Sequence, residues 1–215
     1  MHLKRQKAPK NWPIYRKGTK YIVRPRSNIQ KSVPLLIVLR DMLKIAQNRK
    51  EVKKALHAKH VFINNKTARD ERTGVLLFDT ISILPMKKYY RLELSEKGKF
   101  EIKEIKKGEE NTKISKIVNK KVLKGKKIQL NLIDGRNFIS NVKCSVNDSV
   151  LINHKEKKIE KCLRLKEKAK VIVFAGKRSG NSGRIKEIDH EKKLVKLVID
   201  KKIVNTLIDQ FMVIE

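Results

Sequence analysis

The stretch that most constrains this chain runs from Pro34 to Ile83, PLLIVLRDMLKIAQNRKEVKKALHAKHVFINNKTARDERTGVLLFDTISI. Ser32 and Pro34 signal a helix start, because proline lacks an N–H that the first turn leaves unpaired anyway. Leu35, Leu36, Leu39, Met42, Leu43 and Ala46 then recur at helical spacing. Asn48 is placed to cap a second helix, with Glu51 three residues on to complete a capping box. Val52, Ala55 and Leu56 form the apolar stripe of that helix. Lys50, Lys53, Lys54 and His57 stand at i, i+3, i+4 and i+7, so they share the opposite face. Val61–Ile63 reads as a strand, Asn64-Asn65 as a turn of residues that tolerate positive φ, and Lys66–Arg69 as the returning strand. The expectation is a helix pair with one basic rim, followed by a β-hairpin.

That arrangement resembles the small RNA-binding domain of the fourth bacterial small-subunit ribosomal protein. Pseudouridine synthases, a heat-shock RNA-binding protein and a tyrosyl-tRNA synthetase carry the same module, so the resemblance implies structured RNA as ligand and no particular protein. Charge points the same way. The chain carries 54 Lys+Arg against 22 Asp+Glu, a net charge of +32, and such a chain repels itself unless a polyanion neutralises it. Nucleic acid is the usual polyanion. An anionic membrane would call for a lipidation site or a long amphipathic anchor, and the sequence offers neither. Its longest apolar run, Leu35–Leu39, is far short of a span, and no secretory leader pattern opens the chain. Cys144 and Cys162, with no CxxC and no nearby histidine, make no zinc set and are expected as buried free thiols in a reducing cytosol.

Residues 1–40 hold eleven Lys/Arg and no acid. Four of the five prolines, Pro9, Pro13, Pro25 and Pro34, fall in the first 34 residues and bias the backbone towards extended conformations. Trp12, Tyr15 and Tyr21 are interleaved with Lys10, Arg16, Lys17, Lys20 and Arg24, a pattern in which a ring stacks on a base while the cation meets phosphate. The expectation is a segment that is extended alone and orders on RNA.

Further on, Tyr89–Leu94 and Phe100–Ile105 flank Ser95-Glu96-Lys97-Gly98 as a hairpin. From Lys106 to Lys127 nine lysines face only Glu109 and Glu110, which reads as a solvated loop with weak strand character. Ile128, Leu130 and Leu132 alternate with Gln129 and Asn131 before Asp134-Gly135, a dipeptide favoured in type I′ turns. Near Lys168 alternating apolar residues surround Gly176, Gly180 and Gly183, where glycine allows positive φ and close approach to a partner beside Lys177, Arg178 and Arg184. A P-loop is excluded, since Arg178 follows Gly176-Lys177 and Val171 stands where the motif needs glycine.

With these residues in view the chain resembles the archaeal and eukaryotic type of small-subunit ribosomal protein number four. His2-Leu3-Lys4-Arg5, Ala8-Pro9, Trp12 and Val23-Arg24-Pro25 look like that family's opening. Ser32-Val33-Pro34-Leu35-Leu36 with Leu39-Arg40-Asp41 matches its first helix, and Gly74, Asp79 and Ile81–Ile83 a following strand. Ile114 and Ile117 match the opening of a central domain. Gln129–Asn137 differs from the family string only at Ile133, which replaces histidine, and Asn147–Ile152 and Phe211–Ile214 match later segments. Gln6 and a short connection from Arg26 to Ser32 depart from the pattern. The Gly176–Gly183 window resembles the KOW motif. The implied architecture is α+β and multi-module: an extended basic tail (1–33), a helix-pair and hairpin RNA-binding domain (34–104), a central β domain (105–167) and an SH3-like KOW barrel (168–215). The compact length looks archaeal.

No catalytic set can be assembled. The five histidines, His2, His57, His60, His154 and His190, are scattered, without HExxH or cysteine partners. A pseudouridine synthase would show a GRLD-type motif, but Gly135-Arg136-Asn137-Phe138 lacks the aspartate. A polymerase- or ribosome-associated KOW factor would need an apolar partner face, whereas this chain is basic throughout. The expected function is that of a cytoplasmic, non-enzymatic ribosomal protein, without cofactor, metal, membrane or small-molecule substrate. Its expected partners are small-subunit ribosomal RNA and neighbouring small-subunit proteins. Charge and position nominate the RNA contacts: Lys4, Arg5, Lys7, Lys10, Trp12, Arg16, Lys17, Arg24 and Arg26 in the tail; Arg40, Arg49, Lys50, Lys53, Lys54, Lys66 and Arg69 on the helix-pair rim; Arg136; and Lys177, Arg178 and Arg184 in the glycine-rich loop.

Overall fold

A computed structural model describes residues 2–140, 142–189, 191–200 and 202–214, so His190 lies outside the described residues. The fold is mostly β, with few helices. The chain divides into two compact units: Met1–Leu94 with Lys99–Asn111, and Ser95–Gly98 with Thr112–Glu215.

The first unit begins with β1 (Leu3–Lys4), β2 (Tyr21–Ile22) and β3 (Ser32–Pro34). Then come α1 (Leu35–Ile37), extended by a π turn over Val38–Met42, and α2 (Arg49–His57). Six strands complete it: β4 (Val61–Ile63), β5 (Lys66–Thr67), β6 (Gly74–Leu76), β7 (Thr80–Ile83), β8 (Lys88–Leu94) and β9 (Phe100–Ile105). Its main sheet has the order β5-β4-β7-β8-β9, while β1 pairs with β2 and β3 with β6.

The first helix is shorter than its periodicity predicts. Val33 and Leu35–Leu39 are each at most 3 % exposed, so the run is buried on every side rather than along one stripe. The Leu43 N–H reaches the Val38 carbonyl, an i to i+5 bond, and the chain leaves the helix before Ala46. The second helix follows its sequence closely. Asn48 accepts the Glu51 N–H, and the Glu51 carboxylate accepts the N–H of Gln47 (2.7 Å), one residue earlier than a standard capping box. Val52 and Leu56 are buried, and Lys50, Lys53 and Lys54 point to solvent. Asn64 and Asn65 take positive φ, 49° and 59°, as the turn requires. Asn64 is itself buried, donating to Asp79 (2.7 Å) and accepting the Thr80 N–H (3.0 Å), so it locks the hairpin to β7.

The basic N-terminal segment is folded, which corrects the expectation of a tail extended on its own. Leu3 pairs with Ile22 and Lys4 with Tyr21. Leu3 and Trp12 are buried at 7 % and 2 % exposure, and the Phe100 N–H bonds the Asn11 carbonyl (2.9 Å). Burying two large apolar side chains offsets the ordering of a segment otherwise rich in charge and proline.

The second unit holds β10 (Thr112–Val122), β11 (Ile128–Leu132), β12 (Asn137–Ile139), β13 (Ser149–Asn153) and β14 (Lys158–Leu163) in a sheet of order β12-β11-β10-β13-β14. It continues with β15 (Lys170–Val173), β16 (Ser182–Asp189), β17 (Leu194–Ile199), β18 (Lys202–Leu207) and β19 (Phe211–Val213), ordered β18-β17-β16-β15-β19. Ile117, Leu130, Leu132, Cys144, Val150 and Ile152 form the core of the first sheet. Val171, Val173, Ile185, Leu197 and Phe211 anchor the second. Both cysteines are free; burial first, then Cys144 and Asp148 beside it, push the Cys162 thiol up to about 12, which keeps it an unreactive thiol.

Two further expectations change here. Within the lysine-rich run Thr112–Val122 is an eleven-residue strand, β10, rather than loop, and in it Lys113 and Lys116 are buried at 2 % exposure. The Asp134-Gly135 turn is not type I′, since only Gly135 has positive φ (82°). Gly135 N–H bonds the Leu132 carbonyl and Leu132 N–H the Arg136 carbonyl, giving a three-residue loop with glycine in the left-handed position.

Candidate nucleic-acid interface

Each nominated cation is placed by the element that carries it. On the outer face of α2, Lys50, Lys53 and Lys54 are exposed, as are Lys66 and Arg69 of the following hairpin. Among the described residues none of these five has an ion pair. The arginines beside them are engaged within the unit. Arg49 binds Glu71 through Nη2 (2.5 Å) and Nε (2.9 Å), Arg40 grips Asp41 with two hydrogen bonds (3.0 and 2.8 Å), and Arg26 pairs with Asp70 (2.8 Å). Lys50, Lys53, Lys54, Lys66 and Arg69, rather than Arg26, Arg40 and Arg49, therefore carry the uncompensated charge of this rim.

In the N-terminal segment Arg5 is a structural clamp. Its guanidinium donates to the carbonyls of Thr19 (2.8 Å) and Tyr15 (2.7 Å) and to Thr19 Oγ1 (2.9 Å), closing the loop between them. Trp12, nominated for base stacking, is buried and its ring is covered. The exposed rings are Tyr15, at 89 %, and Tyr21, at 48 %. A groove of about 630 Å³ runs beside them, lined by Arg5, Lys17, Arg40, Lys44 and Lys99 with Asp41 as the acid. It brings Arg5, Lys17 and Arg40 together and adds Lys44 and Lys99, which no sequence motif marks. Lys4, Lys7, Lys10 and Arg16 are exposed elsewhere on the segment, and Arg24 is half-buried.

In the glycine-rich loop Lys177 and Arg178 are exposed, but the glycines answer to the chain itself rather than to a partner. A side chain at Gly180 (φ 95°) would lie 1.8 Å from the Ser95 carbonyl oxygen, and one at Gly183 2.6 Å from that of Val198. Arg184 stands directly opposite Lys170 in the β15–β16 register, and both line an open groove of about 580 Å³ with Lys168 and Ser182. Lys168 and Lys170 had only their charge to mark them.

Arg136 is half-buried, its Nη1 3.0 Å from His154 Nδ1 and its Nε 3.9 Å from Asp134. Asp134 pairs with Lys113 at 2.9 Å, both side chains almost wholly buried. Burial opposes ionisation of Asp134, but Lys113 beside it and the Arg136 N–H outweigh burial and hold its carboxyl below the usual range. Lys116 sends its ammonium to the Ile208 carbonyl and, at 3.0 Å, to that of Phe211, 5.3 Å above whose ring it sits. Burial lowers it to about 8. These two lysines are internal struts, not part of any surface a polyanion reaches.

Residues 1–27 match the RS4NT (NUC023) domain and residues 86–159 the ribosomal family S4e. The small ribosomal subunit protein eS4 of Methanocella arvoryzae is 41% identical over 190 residues, covering 87% of this chain and 80% of that protein. Its namesake from Archaeoglobus fulgidus is 34% identical, covering 86% of this chain and 79% of the relative. The crystal structure of the 30S ribosomal protein S4e from Thermoplasma acidophilum superposes with a TM-score of 0.74 at 27% identity, covering 86% of this chain and 95% of that one.

Proposed function

This chain belongs to the ribosomal family S4e, and on that premise we propose that it is a structural constituent of the small ribosomal subunit that binds and organises small-subunit ribosomal RNA through its basic surfaces. The family is one of ribosomal structural proteins rather than enzymes, and its place is the cytoplasmic ribosome. The observation that carries the reading is the set of exposed cations on α2 and the following hairpin, Lys50, Lys53, Lys54, Lys66 and Arg69, none in an ion pair among the described residues while Arg26, Arg40 and Arg49 are paired. Lysines so placed exchange condensed counterions for phosphate contacts, which yields affinity without sequence readout. The 34–104 segment serves as the RNA-docking helix-pair module, and the β15–β19 sheet as a KOW-type barrel presenting Lys177, Arg178 and Arg184. Neighbouring small-subunit proteins are the further partners.

Sedimentation of native lysate at moderate salt tests the assignment: the protein is expected to travel with the small subunit, and a pool confined to low mass would refute it. Neutralising Lys50, Lys53 and Lys54 to Gln tests the surface. Binding to small-subunit ribosomal RNA should weaken, and the log–log salt slope should become shallower by about three if each contacts a phosphate. An unchanged slope would move the contact elsewhere.

A further inference from the structure

Charge accounts for the lysines but not for the amides in Gln129–Asn137. In the β10-β11-β12 register Asn119 stands opposite Asn131 and Asn131 opposite Asn137, a row of three carboxamides across three strands. Lys121, Gln129 and Ile139 form the next row on the same face, while Leu130 and Phe138 point the other way into the core. Asn119, Lys121, Asn137 and Ile139 are exposed. Asparagine is depleted in strands, so three aligned on a solvent face run against local preference without contributing to packing.

Part of each amide's hydrogen-bonding capacity is left open. Asn119 Oδ1 accepts the Lys120 N–H (2.7 Å), which leaves its Nδ2 facing out. Gln129 Nε2 donates to Asn131 Oδ1 (2.7 Å), leaving Gln129 Oε1 as an acceptor and Asn131 Nδ2 as a donor. The Asn137 amide bonds no other side chain among the described residues. Open donors on Asn119 and Asn131, with both functions open on Asn137, thus span a row roughly 10 Å long, given strand spacings of about 4.8 Å. Between Ile117 and Ile139 the only acid is Asp134, already paired with Lys113, against Lys120, Lys121, Lys124, Lys126, Lys127 and Arg136.

We propose that this amide row is an RNA-reading face that hydrogen-bonds ribose 2′-hydroxyls and base edges in the shallow groove of an RNA helix. The proposal rests on the RNA-binding reading above and adds a contact of a different kind. A carboxamide both donates and accepts, as a 2′-hydroxyl does, and the shallow groove of A-form RNA displays those hydroxyls within side-chain reach. The surrounding lysines favour a polyanion over a protein strand as the occupant.

Salt dependence separates this contact from phosphate contacts, because amides displace no counterions. The probe is protein-free small-subunit ribosomal RNA, with affinity measured over a salt series for the full chain and for Asn131→Val/Asn137→Val. Valine favours strands, and Asn137→Val alone, on the exposed edge strand, supplies a second variant if the pair loses its fold. The double variant is expected to bind about tenfold more weakly, as befits two lost hydrogen bonds, with the salt slope unchanged. Unchanged affinity, or a loss accompanied by a shallower slope, overturns the amide reading and leaves phosphate binding standing. Failure of the unmodified chain to bind this RNA at all overturns both.

Discussion

Replacing Asp134 with alanine takes from the buried Lys113 ammonium the carboxylate that pairs with it. The pair is 2.9 Å apart, with side-chain exposures of 2% and 3%, so water screens neither charge. Breaking a buried pair from one side costs about 3–5 kcal/mol, whereas replacing both partners by apolar groups of similar volume is often neutral. The single change therefore removes a large share of the roughly 5–15 kcal/mol that holds a typical domain together. Lys113→Met/Asp134→Leu should recover most of it. Urea unfolding followed by far-UV circular dichroism at pH 7 measures both, and Trp12 fluorescence, which reports from the first unit, distinguishes a local loss from a global one. The pH dependence has a definite sign. Because the folded Asp134 carboxyl lies below the usual carboxylate value, its contribution is present above about pH 4 and is lost as pH falls through the folded value. The gap between the unmodified chain and Asp134→Ala should close accordingly in acid. A single-variant cost under about 1 kcal/mol, or a double variant worse than either single one, would falsify the claim that the pair is desolvated and mutually dependent.

Trp12→Ala should destabilise the first unit by about 3–5 kcal/mol in urea titrations read by circular dichroism, since it empties a buried site. Trp12→Phe should cost much less, because among the described residues the indole N–H has no hydrogen-bond partner to lose. Lys116 is held near 8, below the ordinary lysine value, so the unfolded chain binds the extra proton between those values and stability rises with pH across that window. The rise, measured against Lys116→Met to cancel the other lysines, should be missing in the variant; parallel profiles would refute burial of the charge. Gly180→Ala should destabilise by at least about 1–3 kcal/mol, from a φ of 95° and the Ser95 carbonyl in the path of the new methyl group, with a lowered melting temperature as the readout.

Much of this structure was legible where the determinants are local. Asn48 capping α2, the positive-φ asparagines at the hairpin, and the alternation along β11 depend on residues a few positions apart. The N-terminal segment escapes a local reading because its partners are remote: Trp12 is buried in a unit completed by Phe100, whose N–H bonds Asn11. The lysine run hid a strand for the same reason. Lys113 finds Asp134 twenty-one residues on, and Lys116 finds carbonyls more than ninety residues away, so composition alone marks both as solvated. The Asp134-Gly135 turn shows that a dipeptide preference yields to the register its strands impose. At the candidate interface, charge identified the cations but not which are already spent on Asp41, Asp70 and Glu71.

The hydrogen bond from Phe100 to Asn11 also orders events in time. A chain emerges from its N-terminus first, and at about 5–20 residues per second the segment that closes on residue 100 waits seconds for its partner. Throughout that interval its acid-free run of cations is synthesised but not yet closed against Phe100. A nascent chain halted before Phe100 should lose its first dozen residues to trypsin, and one released past Ile105 should keep them.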